Sequence, residues 1–178
     1  MTLLNILHYP DNKLRQKGHN IDTFDEKLEK IAIDMLETMY QSKGIGLAAV
    51  QVNLPIRLIV IDISESRNEP LFLVNPLIID KQELIIFEEG CLSVPGFYEK
   101  VERYNSINFT YQDLTGSKHT MNAEGLLSVC VQHEIDHLDG KLFVDYISQL
   151  KRDRIAKKIK KAESSNTVPS RKNVPYNI

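Results

Sequence analysis

Val131 Gln132 His133 Glu134 Ile135 Asp136 His137 Leu138 Asp139 Gly140 is the stretch from which the rest of the chain can be placed. On an α-helix, residues four apart lie one turn above each other, so the imidazoles of His133 and His137 point to one side and can grip a single cation. Glu134 follows the first histidine directly, where a carboxylate can take a proton from water beside that cation without being a ligand itself. The same HExxH spacing also occurs on solvated helix faces, so a metal reading needs a third ligand. In one large group of metalloproteases that ligand is a His six residues past the second one; here the position is Phe143. Another group uses a downstream Glu, but the region around Lys157 is a lysine run and Glu163 lies farther on. The third ligand therefore has to come from upstream.

Residues 88–96 read Glu Glu Gly Cys Leu Ser Val Pro Gly. Gly90 breaks strand periodicity just before the thiol of Cys91, and Pro95 with Gly96 closes a loop. The chain has two cysteines, no apolar run long enough to span a membrane, and no basic start followed by an apolar stretch. A cytoplasmic location follows as an expectation, and in a reducing compartment thiols serve as ligands, nucleophiles or core residues. A Cys91 thiolate would complete a Cys, His, His set with a fourth position left for water. As a nucleophile it would need an imidazole that the metal does not already claim. Cys130, between Val129 and Val131, reads as a small buried hydrophobe. His8 and His19 have no cysteine nearby in sequence and read as surface or structural residues.

Residues 44–52 read Gly Ile Gly Leu Ala Ala Val Gln Val. Small side chains here let the backbone approach another group closely, and Gln51 places an amide in an apolar run. A phosphate loop would need a following Lys with Ser or Thr and a preceding strand, and neither is present. A tightly packed turn remains the alternative.

The flanking segments give the architecture. Residues 23–42 carry Phe24, Leu28, Ile31, Met35 and Met39 at helical spacing, with Thr23 and Glu26 as a capping box and a stop at Lys43 and Gly44. Between residues 56 and 122 the period shortens, predicting strands at 56–62, 71–79, 83–87, 98–102, 106–112 and 117–122, joined by short breaks in antiparallel meanders. Helical periodicity returns at 123–138 and again at about 150–162. The expected fold is α+β: antiparallel sheets packed around a central metal-binding HExxH helix, with an N-terminal amphipathic helix and a C-terminal helix. Residues 1–163 read as a single domain and 164–178 as a disordered polar tail. Residues 151–178 hold nine Lys or Arg against Asp153 and Glu163, a net +7, leaving 13 basic and 22 acidic residues elsewhere, a net −9. An acidic body with a basic end is either a partner for a polyanion or a solvated helix end.

Three of these segments, Gly44 Ile45 Gly46 Leu47 Ala48 Ala49 Val50 Gln51, then Glu89 Gly90 Cys91 Leu92 Ser93, then Gln132 His133 Glu134 Ile135 Asp136 His137, resemble in order and separation the three signature motifs of peptide deformylases. The resemblance extends over about residues 3–160 and is nearest to the bacterial class whose last helix extends the domain. It implies hydrolytic removal of the formyl group from the initiator N-formylmethionine of nascent polypeptides. It further implies that Cys91, His133 and His137 hold the metal, that Glu134 is the acid and base, and that Gln51 and the Leu92 N–H form the oxyanion hole. A methionine pocket would involve Ile45, Gly46, Phe87, Glu89, Gly90, Leu126, Val129 and Cys130. The implied cation is Fe(II) in the cell, and the ligand types also suit Zn(II), Ni(II) or Co(II). The basic last helix would dock on the ribosome near the exit tunnel, with no membrane and no DNA partner. Two rival readings are a general HExxH aminopeptidase, which the missing downstream ligand disfavours, and a catalytically silent ribosome-binding homologue, which intact Glu134 and Gln51 disfavour.

Overall fold

A computed structural model of the 178-residue chain describes residues 2–165 and 178. Strand β2 (Leu58–Ile61) explains the layering: all four of its residues are buried, because the sheet is covered on both faces. Alternation sends Leu58 and Val60 into a cluster with Leu28, Ala32, Met35 and Met39 of helix α1 (Glu26–Gln41). Ile59 and Ile61 go to the opposite cluster, with Val129, Cys130, Val131 and Leu138 of helix α2 (Gly125–Leu138). Fully burying each such side chain stabilises by about 1.5–3 kcal/mol, so the motif helix is clamped against the sheet over its length.

Around β2 the sheet runs β1 (Gly46–Ala48), β2, β3 (Leu71–Gly90), β4 (Tyr98–Gln112) and β5 (Lys118–Glu124), in sequence order and with every pair antiparallel. The mixed α and β composition with an antiparallel sheet agrees with the sequence. Among the described residues, however, the sheet is a single one, and β3 and β4 each join two segments expected to be separate strands. The break read at Asp80, Lys81 and Gln82 is continuous strand, paired with Asn108, Ile107 and Ser106. Irregularity is absorbed by register shifts between Val74 and Leu77 and between Ile78 and Asp80, with Asn75 and Glu83 in left-handed conformation. Asn75 is anchored there by its side chain, which accepts from the Ile21 N–H at 2.9 Å and donates to the Ile21 oxygen at 2.8 Å.

Helix α1 starts two residues later than the capping box suggested. Asp25, extended at φ −130°, is the cap, and its carboxylate accepts from the Leu28 N–H at 3.0 Å. A carboxylate also complements the positive end of the helix dipole, which a Thr23 hydroxyl does not. At the other end the left-handed residue is Lys43 (φ 59°), while the Gly44 N–H donates to the Met39 oxygen at 3.0 Å. Helix α2 begins at Gly125 (φ 56°) because Ala123 is still paired with Ile107 as part of β5.

The N-terminal arm ties two of the motif segments together: Leu7 N–H donates to the Gln51 oxygen and Tyr9 N–H to the Ser93 oxygen, both at 2.8 Å. Helix α3 (Gln149–Ser164) buries Ile155 and Ile159 beside Leu7, Tyr9, Phe143 and Val144. Of the tail expected to be disordered, residues 166–177 lie outside the described residues; Ser164 closes α3, and Ile178 is buried.

Candidate active site

Cys91 sits in the turn that follows β3, and α2 supplies His133 and His137 from adjacent turns of one face. Their ligand atoms all lie within 4.8 Å of one another. The sulfur of Cys91 is 3.2 Å from His137 Nε2, and the two Nε2 atoms are 3.2 Å apart. All three side chains are buried. Two nitrogens at about 2.0–2.1 Å from one tetrahedral ion lie roughly 3.3 Å apart, so the observed spacing is that of a coordinating pair.

The electrostatics point the same way. Burial pushes the Cys91 thiol well up, and the neighbouring Glu134 adds to the shift. Burial likewise raises the Glu134 carboxyl, reinforced by the charge of Glu89. His137 is pushed down by burial and by His133. Neither Glu134 oxygen has a hydrogen-bond partner among the described residues, and His137 Nδ1 has none. A buried thiol, crowded imidazoles and an unpartnered buried carboxyl form a set that costs free energy as it stands. A divalent cation on the sulfur and the two Nε2 atoms relieves it, so the residues present fit a metal. The same burial argues against Cys91 as a free nucleophile, since the reactive form is the thiolate.

His133 is oriented from behind. Its Nδ1 lies 2.8 Å from Glu89 Oε2, which leaves Nε2 facing His137 and, within 4.8 Å, Cys91. Burial alone would raise the Glu89 carboxyl, but its hydrogen bonds with His133 and Arg103 hold it at about 2. Arg103 binds both Glu89 oxygens (2.5 and 3.0 Å) and Asp136 Oδ2 (2.6 Å), which also accepts from the Tyr146 hydroxyl at 2.8 Å. The side chain of Glu89, expected to line the substrate pocket, is thus taken up by His133 and Arg103. Arg103 and Asp136 were not foreseen. The inward alternation of Val101 and Arg103 in β4 was the available signal, obscured because the expected strand ended at Glu102 and residues 103–105 read as a gap.

The Gln51 amide is fully buried and fixed at both ends. Its Oε1 accepts from the Ala48 N–H at 2.7 Å, and its Nε2 donates to Ser93 Oγ at 3.2 Å and towards Cys91 Sγ at 3.6 Å. The Ser93 N–H also points at the sulfur, at 3.4 Å. Gly46 belongs to β1 beside the HExxH helix: a Cβ there would fall 2.5 Å from Glu134 Oε1 and 2.9 Å from Cys130 Sγ. Gly90 is similarly covered by the Tyr98 ring. Of the expected pocket residues, Val129 and Cys130 are buried in one apolar cluster with Ile45 and Phe87 packed against it. Leu126 is half-buried on α2, and Leu127 is the neighbour that packs against that cluster.

The profile of the polypeptide deformylase family matches residues 3–153. The chain belongs to this family. Among deformylases, that of Nitrosococcus oceani is 53% identical over 163 residues, covering 92% of this chain and 98% of the relative. The crystal structure of a peptide deformylase from Legionella pneumophila superposes with a TM-score of 0.89 at 43% identity, covering 93% of this chain and 98% of that one. A deformylase of Ehrlichia chaffeensis, solved in complex with actinonin, gives a TM-score of 0.88 at 39% identity, with 92% and 99% covered. Deformylases are metalloenzymes, and the Cys91, His133 and His137 cluster can hold an ion in this one. Among the described residues no helix is long and apolar enough to cross a membrane.

Proposed function

We propose that this chain removes the formyl group from the N-terminal formylmethionine of nascent polypeptides by hydrolysing the formamide C–N bond to formate and a free amine. The observation that carries this reading is the meeting of one thiol and two imidazoles beside a buried carboxyl that has no hydrogen-bond partner among the described residues. Cys91, His133 and His137 would hold the cation, Fe(II) in the cell, with Zn(II), Ni(II) or Co(II) as substitutes on the same ligand types. When bound, a divalent cation supplies Lewis acidity and makes water nucleophilic near neutral pH.

The chain's own residues supply the rest. Glu134 takes the proton of the attacking water on a carboxylate oxygen and returns it to the leaving amine as the C–N bond breaks. The Leu92 N–H and Gln51 Nε2 donate to the formyl oxygen as it gains negative charge; one such donor is worth ~3 kcal/mol. Ile45, Phe87, Leu126, Val129 and Cys130 form the apolar wall for the methionine side chain. Gly46, with no room for even one more carbon, keeps the space beside Glu134 narrow, which suits formyl and excludes acetyl.

The enzyme is read as cytoplasmic, with its basic helix facing ribosomal RNA near the exit tunnel. On α3, Arg154, Lys157, Lys158, Lys160 and Lys161 are exposed while Ile155 and Ile159 are buried, so the cations lie on the side away from the core. Pelleting with ribosomes that weakens steeply as salt rises would support this contact; salt-independent pelleting would refute it.

Formate release from formyl-Met-Ala-Ser by protein prepared without oxygen tests the activity. Wild type should release formate, and Glu134→Ala should lower the rate by at least ~10²-fold. Release of methionine from unformylated Met-Ala-Ser would favour an aminopeptidase instead. Ribosome binding with no formate released would favour a silent homologue.

A further inference from the structure

The residue standing against the catalytic turn is the chain's own Ile178. It is 1% exposed, within the same apolar cluster as Val129 and Cys130, against which Ile45 and Phe87 pack. Its backbone oxygen accepts from the Leu92 N–H at 3.2 Å. An apolar side chain against this wall and an oxygen on this amide are the two things that the proposed reading asks of a formylmethionyl substrate. An isolated apolar contact on a surface would carry neither the burial nor the matched hydrogen bond, and this residue has both.

We propose that Ile178 is a tethered competitor of substrate, holding the cleft until a formylated N-terminus displaces it. The identity of what is displaced rests on the deformylase reading; the contact itself does not. Being part of the same chain, Ile178 is presented at an effective concentration that a free peptide does not reach, so even a weak contact is substantially occupied. Isoleucine is branched at Cβ and shorter than methionine, so it fills a pocket shaped for an unbranched thioether incompletely. The substrate therefore wins when it is present, and the cleft is covered when it is not. A covered cleft also shields the Cys91 thiol from oxidants between turnovers.

The full-length chain with single substitutions tests this. Ile178→Asp places a charge in the apolar cluster and should empty it, whereas Ile178→Met should fit it better. The KM for formyl-Met-Ala-Ser is expected to fall by about threefold or more in Ile178→Asp and to rise in Ile178→Met, with kcat unchanged in both. Independently of turnover, amide hydrogen exchange at Leu92 should be faster in Ile178→Asp than in wild type. If no variant releases formate, the deformylase reading fails and the exchange rate still decides the contact. An unchanged Leu92 exchange rate, or a KM equal in all three proteins, overturns the proposal. A KM difference that grows with enzyme concentration would assign the contact to a second copy and overturn the tethered form.

Discussion

Glu89 Oε2 lies 2.8 Å from His133 Nδ1, and the same carboxylate is gripped by Arg103 through both oxygens. This relationship sets which nitrogen of His133 faces the thiol, and it links the candidate metal-holding cluster to the middle of β4. Replacing Glu89 by Gln keeps the shape but removes the charge, leaving Arg103 undercompensated and the His133 tautomer free. Metal affinity should drop by ~10- to 100-fold, read by competition with a chelator of known strength. Glu89→Ala should cost more, about 3–5 kcal/mol of folding stability, because a buried guanidinium loses its main partner; denaturant titration measures it.

Gly46→Ala should lower formate release while leaving the fold intact. The added methyl would lie 2.5 Å from Glu134 Oε1, so the carboxylate has to move. A displaced general base is expected to cost about 10²-fold in kcat, with the far-UV circular dichroism unchanged. An undiminished kcat would mean that Glu134 has slack the geometry does not show.

Asp62 gives a pH signature away from the cluster of Cys91, His133 and His137. Burial alone would raise its carboxyl, but hydrogen bonds from the Ser64 and Tyr40 hydroxyls and the Ser64 and Glu69 amides outweigh it and hold it low. Because the folded value is depressed, the stabilisation is fully present above the unfolded value of ~3.9 and is lost as pH falls through the lower folded value. Asp62→Asn should therefore destabilise at pH 7 by about 1.5–3 kcal/mol. The difference from wild type should shrink steadily below about pH 4. Urea melts across pH 2.5–7 check both the size and the direction; a penalty that stays constant with pH would contradict the assignment.

Acetyl discrimination tests the shape of the cleft. With Gly46 packed against Cys130 and Glu134, N-acetyl-Met-Ala-Ser should be hydrolysed at least ~10²-fold more slowly than the formyl peptide. Equal turnover would remove the steric argument.

Much of this was legible in the sequence because short-range rules governed it. His133, Glu134 and His137 fall at helical spacing, and the lack of a downstream ligand points upstream to Cys91, which the structure brings to them. Leu28, Ala32, Met35 and Met39 announced the buried face of α1 by periodicity alone. The long strands were less legible, since polar residues such as Asp80 and Lys81 read as turns where two neighbouring strands simply extend beyond the core and stay paired. The role of Glu89 was hidden for a different reason. Its partners Arg103 and His133 lie far along the chain, and nothing local distinguishes a carboxylate that lines a pocket from one that turns inward to orient a ligand. Ile178 was hidden because residues 164–178, rich in Ser, Asn and Pro, read as a disordered polar tail with no place against the site.

In the proposed enzyme one ion joins the turn after β3 to helix α2. X-ray absorption at the metal edge, on protein prepared without oxygen, tests it directly. The expected spectrum has one sulfur at about 2.3 Å and two imidazole nitrogens at about 2.0–2.1 Å, with the sulfur lost in Cys91→Ser. Coordination by nitrogen and oxygen alone in the wild-type protein would contradict it.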